Sequence, residues 1–173
     1  MKIHIRLHAL ATVVAVSLSI AIPDAAAAQD MGIKVGSAAP AAAVQSLDGA
    51  AMDLGKMYGG KPVVLEFWAT WCPLCRKLEP AMQAARMKYA DKVQFVSVGV
   101  PSNQSAEKQK AYVEKQQMGG QFVFDKDGMA MKAFAVPHTS YVVIVDKSGK
   151  VAYTGVGAEQ DIDAAVQTVL RSQ

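Results

Sequence analysis

Cysteine and histidine are scarce in this 173-residue chain, which holds two of the first and three of the second. His4 and His8 fall in an N-terminal stretch that reads as a removable signal, leaving His138 as the only imidazole beyond it. A Cys2His2 zinc site within one chain is thereby excluded, because the ligands do not exist. Long apolar runs are missing too. The longest, residues 9–22, falls short of the roughly 20 residues a bilayer span requires. Charge is unclustered, with 18 Lys and Arg against 15 Asp and Glu and a formal net charge of +3, so the chain carries no electrostatic footprint for nucleic acid or anionic lipid. No repeat or low-complexity linker is present. Gly59-Gly60-Lys61 is followed by Pro62 and leads into a strand, the wrong order for a phosphate-binding loop.

What is present begins with a leader. Lys2 and Arg6 precede the apolar stretch, and Ala26 and Ala28 supply small residues for cleavage before Gln29. Residues 1–28 are therefore expected to be a signal peptide and 29–173 one domain, secreted or periplasmic. Left uncleaved, the leader would tether that domain to a membrane.

Residues 31–57 are mixed, with turn signals at Ala39-Pro40 and Asp48-Gly49 that predict an extended segment and a short hairpin. Val63-Val64-Leu65-Glu66-Phe67-Trp68 reads as a central strand covered on both faces. From Pro73 a helical pattern runs to Tyr89 with Leu74, Leu78, Met82, Ala85 and Tyr89 on one side, and Pro80 is expected to kink it. Residues 93–100 form a second buried strand. Ser105 caps a polar helix through Gln117, which Gly119-Gly120 should end. Residues 121–124 make a short strand, and Asp125-Lys126-Asp127-Gly128 is a turn that lacks the remaining ligands of a calcium loop. Residues 140–145 and 150–154 form an antiparallel hairpin. Ile162, Ala165, Val166, Val169 and Leu170 lie on one stripe of a terminal helix. Strands alternating with helices predict an α/β sandwich with a mixed sheet.

Both cysteines stand in Trp71-Cys72-Pro73-Leu74-Cys75. A disulfide stabilises mainly by closing a long loop, and bridging Cys72 to Cys75 closes almost none. Reactivity explains the pair better. Pro73 is suited to the first helical position, which makes Cys72 the N-cap, facing the free N–H groups of Leu74 and Cys75. The positive end of the helix favours a thiolate there, and the thiolate is the nucleophile. Cys72 is thus expected to attack a substrate disulfide, and Cys75, shielded one turn in, to displace the reduced product. Trp68 and Trp71 would supply apolar walls. Glu66 has two readings. A buried carboxylate could take the proton Cys75 must lose, or the side chain could sit in an ion pair with Lys61 or Lys77.

The segment Gly60-Lys61-Pro62-Val63-Val64-Leu65-Glu66-Phe67-Trp68-Ala69-Thr70-Trp71-Cys72 resembles the active-site approach of thioredoxin-fold proteins, closest to the exported TlpA/ResA-like thiol-disulfide oxidoreductases. The resemblance spans about residues 35–170. It implies a thioredoxin-like three-layer α/β/α sandwich around a central mixed β-sheet, and a redox-active Cys72–Cys75 disulfide with no other cofactor. It also implies protein thiol and disulfide substrates, a membrane electron donor of the DsbD or CcdA type, and a role such as cytochrome c maturation. A monomer is expected. Glu66 falls where thioredoxins keep a buried aspartate, and Pro80 matches the helix-kinking proline. Pro137 matches the family's cis-proline, whose geometry would turn the Val136 backbone outward to receive an extended substrate beside Trp71. His138, beside it, would tune the thiolate.

The chain departs from the family in places. Pro73-Leu74 separates the cysteines where relatives usually carry proline second, which bears on the reduction potential. Leu78 stands where many relatives have glutamate, and Glu79 is expected to point elsewhere. An alternative use of the pair is Cu(I) binding by Cys72, Cys75 and His138. A peroxidase is disfavoured, since the threonine three residues before a peroxidatic cysteine and the proline seven before it are here Ala69 and Leu65.

Overall fold

Every residue from Val63 to Trp68 is buried, Glu66 among them, because this strand is covered on both faces and flanked on both edges. The computed structural model describes residues 31–172, so the expected signal peptide lies outside the described residues. In chain order the elements are β1 (Ala43–Ser46), β2 (Ala51–Asp53), β3 (Val63–Trp68), α1 (Pro73–Tyr89), β4 (Gln94–Gly99), α2 (Ala106–Gln116), β5 (Gln121–Phe124), α3 (Met129–Ala133), β6 (Tyr141–Val145), β7 (Val151–Val156) and α4 (Ile162–Arg171). They form one seven-stranded sheet in the order β2-β1-β5-β4-β3-β6-β7.

The sheet is mixed, as the pattern predicts. β3 pairs parallel with β4, Glu66 facing Ser97, and antiparallel with β6, Glu66 facing Val142. β5 continues the parallel set beside β4. Right-handed crossovers that step twice in one direction must place both helices on one face. So they do. α1 and α4 cover Val64, Phe95, Val142 and Ile144, while α2 lies over the same face, its Tyr112 ring 6.0 Å from that of Trp68. The Gln109 side chain packs so closely on Gly99 that a Cβ there would overlap it. Val63, Leu65 and Phe67, alternating with these positions, point to the opposite face. There Leu54, Ala130 and Phe134 cover them, with Phe67 and Phe134 centroids 5.4 Å apart. The result is the expected three-layer sandwich.

Two local expectations need correction and two are extended. α1 is a single helix across Pro80, which does not break it. Leu74 is exposed rather than on the buried stripe, which starts at its neighbour Cys75 on the next side of the helix. α2 ends at Gln116 with Gln117 as its C-cap, where the pattern through Gln117 places it, just ahead of Gly119-Gly120. Gln117 takes the left-handed conformation (φ 52°) and donates its N–H to the Glu114 carbonyl. Asp125-Lys126-Asp127-Gly128 does turn the chain, but it also starts α3, since the buried Asp125 carboxylate accepts the Ala130 and Met131 N–H groups at 3.0 and 2.8 Å. A carboxylate so occupied is a helix cap.

Candidate active site

The site is built where β3 and β4 end. Past Trp68 the chain leaves the sheet, and two side chains tie the loop down. Gln104 accepts from both the Thr70 N–H (3.0 Å) and the Thr70 hydroxyl (3.1 Å), while its own amide donates to the Val100 carbonyl at 2.5 Å. The indole N–H of Trp71 donates to the Ser102 carbonyl at 2.7 Å. The loop that presents Cys72 is thus fastened to the loop after β4. Gln104→Ala leaves two donors and one acceptor without partners and is expected to lower stability by about 1–3 kcal/mol. Urea denaturation measures it, and an unchanged midpoint would show that the fastening carries no weight.

Cys72 is the N-cap of α1 with extended backbone (φ −77°, ψ 113°), and Pro73 occupies the first helical position. The Cys75 backbone N–H donates to the Cys72 sulfur at 3.0 Å. A sulfur at a helix start that already accepts a backbone N–H is favoured as an anion, by the dipole and by a hydrogen bond to the charged form. The two cysteines are joined as a disulfide. Their burial does not separate them as the sequence suggests. Cys72 is 1% exposed and Cys75 4%, and it is Cys75 that lines a cavity. The reason is position, since the N-cap residue is tucked against the core cluster of Trp68, Ala69 and Phe134 while Cys75 faces the gap between α1 and the end of α2. What distinguishes the cysteines is hydrogen bonding.

That cavity, about 210 Å³, is lined by Glu66, Trp68, Cys75, Arg76, Glu79 and Gln83 together with the end of α2. Glu66 is 2% exposed, and among the described residues it forms no ion pair with Lys61 or Lys77. Burial pushes its carboxyl up to about 8, the negative charge of Glu79 pushes in the same direction, and Arg86 opposes both. At neutral pH the group is mostly protonated, within reach of the pH at which a thiol ionises.

The aromatic walls divide. Trp68 is buried between Tyr112 and Phe122, whereas Trp71 and Leu74 are about half exposed and form an apolar rim at the disulfide. Val136 packs against the cluster that holds both cysteines. The cis bond expected at Pro137 is absent, and no peptide bond among the described residues is cis. Left-handed Ala135 (φ 47°) and Ser140 (φ 65°) flank the segment, with the Val136 N–H on the Met131 carbonyl and the Ser140 N–H on the Phe67 carbonyl. Trans is the form most X-Pro bonds take. His138 is exposed, and no group of three or more His, Cys, Asp and Glu side chains converges among the described residues, so the structure does not gather His138 with the cysteines.

Two residues of the site, Gln104 and Arg86, escape a reading of the sequence, and a third, Glu79, is misplaced by it. Gln104 leaves no sequence signal, being one polar residue of a loop. Glu79, expected to point elsewhere, instead lines the cavity with Glu66 and Cys75, since it follows Cys75 by four positions and shares its side of the helix. Arg86, two turns beyond Glu79, was legible on the same ground, and its side chain is bonded to the Glu79 carboxylate.

A disulfide at a helix start on this scaffold defines a thiol-disulfide oxidoreductase, with the cysteine pair as its redox centre. Comparison with known proteins agrees. The Redoxin family model matches residues 34–170, and the chain belongs to that family. It is 34% identical to the thioredoxin-like protein YneN of Bacillus subtilis over 131 residues, 75% of each chain. It is 32% identical to the thiol-disulfide oxidoreductase ResA of Bacillus thuringiensis over 120 residues, 69% of this chain and 68% of that one. A solved structure of a thiol:disulfide interchange protein DsbE (so assigned provisionally) from Chlorobium tepidum superposes with a TM-score of 0.69 at 25% identity, covering 81% of this chain and 97% of the other.

Proposed function

We propose that the protein is an exported disulfide reductase in which Cys72 attacks, Cys75 resolves and Glu66 takes the proton of Cys75. The observation that carries the reading is the Cys75 N–H donated to the Cys72 sulfur at the start of α1. The Cys72 thiolate forms a mixed disulfide with one sulfur of the partner and releases the other as a thiolate, which takes a proton from water. The Cys75 S–H bond then breaks, its proton passes to Glu66 in its ionised form, and the new thiolate attacks the Cys72 sulfur. The electron pair leaves with the partner, which is reduced by two electrons as Cys72–Cys75 is oxidised. A membrane donor of the DsbD or CcdA type would reset the pair, and the rim of Trp71 and Leu74 suits apolar segments of a protein substrate such as an apocytochrome. Pro73 and Leu74 set the potential of the pair, and the leader at 1–28 would carry the domain out of the cytoplasm.

Equilibration with glutathione buffers tests the direction of electron flow. A potential near the thioredoxin value of about −270 mV is expected, and one near −120 mV would make the protein an oxidant. Export is tested by fusing residues 1–28 to a reporter active only outside the cytoplasm, with the mature protein expected to start at Gln29.

A further inference from the structure

The cavity beside the cysteines holds a second carboxylate that the exchange reaction does not require. Glu79 lines it together with Glu66 and Cys75, and its Oε1 is bound by Nη2 of Arg86. Arg86 is only 9% exposed, an unusual place for a guanidinium. Its slot is made by Gly120, where a Cβ would stand 3.1 Å from Arg86 Cδ. Its Nε is buried without a partner, so the side chain gives up hydration to hold one carboxylate. With its guanidinium buried and its carboxylate partly exposed, the pair is weak evidence for stability, which leaves room for another use.

We propose that Glu79 and Arg86 form a tuning pair for Glu66, two opposite charges held in one clamp that set the pH at which Glu66 can accept the proton of Cys75. The proposal rests on the reading of Glu66 as that acceptor. The charged and titratable groups around Glu66 come from α1, namely Glu79 and Arg86, with Cys75 and Arg76 on the same cavity, and Tyr112 comes from α2. β4 and β6 present Ser97 and Val142. The acid of α4, Asp163, is occupied by Lys88 and Tyr89 at the other end of α1. Glu79 makes ionisation of Glu66 harder and Arg86 makes it easier. Removing either charge therefore leaves the other unopposed, and the two removals must act in opposite directions. Glu79 and Arg86 touch neither substrate nor sulfur in this scheme and are positioning residues.

The test is a 13C-carboxyl NMR titration of the oxidised full chain, with the Glu66 signal identified by its loss in Glu66→Gln. Glu79→Gln should lower the Glu66 midpoint by about one pH unit, and Arg86→Gln should raise it by about as much. The double variant should return toward the parent, and Arg86→Lys, which keeps the charge, should stay close to it. A residue that only props up the helix would not move one midpoint in two directions. Should Arg86→Gln fail to fold, the fall in Glu79→Gln and the rescue in Arg86→Lys decide the matter. Shifts of one sign, or none, overturn the proposal. Rapid-mixing measurement of the Cys75 step should show its acid limb moving with the NMR midpoints. If the midpoints move while Glu66→Gln resolves at the parent rate, the acceptor reading of Glu66 falls, and the proposal with it, by a result distinct from an absence of shifts.

Discussion

Cys72→Ser abolishes disulfide exchange, and Cys75→Ser does not. Serine at Cys72 replaces a nucleophile ionised near neutral pH by a hydroxyl that stays protonated, so reduction of a model disulfide should fall to the uncatalysed rate. Cys75→Ser keeps the attacking sulfur but loses the group that displaces the product. Each molecule should then stop after one half-reaction, as a mixed disulfide that mass spectrometry detects as an adduct of one partner. The asymmetry follows from the hydrogen bond, since the Cys75 N–H serves the Cys72 sulfur and the backbone donor survives substitution of the Cys75 side chain. If Cys75→Ser were dead and Cys72→Ser formed the adduct, the roles would be reversed, in keeping with the greater contact of Cys75 with the cavity.

Glu66→Gln gives the second large effect, and it separates chemistry from stability. For the reaction, loss of a general base should slow the Cys75 step about 100-fold or more while leaving attack by Cys72 unchanged. For stability the sign follows from the raised pKa. Glu66 ionises near 8 in the folded chain against an ordinary value of 4.5, so the folded state holds its proton more tightly than the unfolded state does. The protonated carboxyl is well accommodated below pH 4.5, and stability is lost as pH rises from there through 8, by roughly 4–5 kcal/mol once the buried group is ionised. Glutamine carries no such penalty. The variant should match the parent near pH 4.5 and melt roughly 10 °C higher at pH 9, both oxidised. A difference in Tm that is the same at both pH values would show that Glu66 is not held neutral by the fold.

Much of this architecture was readable from residue order. The run 63–68 predicts a strand buried on both faces because only a covered strand tolerates six consecutive inward residues, and β3 is that strand. Ser105 and the apolar stripe of α4 are local signals, and both appear where expected, the Ser105 hydroxyl accepting the Lys108 N–H. The rest was not. α3 exists because a buried Asp125 carboxylate turns back on two N–H groups, which depends on where the sheet places Asp125. The Val136–Pro137 bond is trans, the form most X-Pro bonds take, where the family likeness implied cis. In the site, spacing identified the cysteine pair and the buried run identified Glu66. Leu74 was placed on the buried side, but that side starts at Cys75 and leaves Leu74 exposed. Glu79 and Arg86 were a lapse of periodicity, since both follow Cys75 on its own side of the helix.

The measurement closest to the centre of this account is the rate of alkylation of reduced Cys72 across pH, with mass spectrometry assigning each modified sulfur. A thiolate held by the helix start and the Cys75 N–H predicts a midpoint well below the value of about 8.5 for free cysteine, with Cys75 reacting later and at higher pH. A Cys72 midpoint at or above that of free cysteine would contradict it.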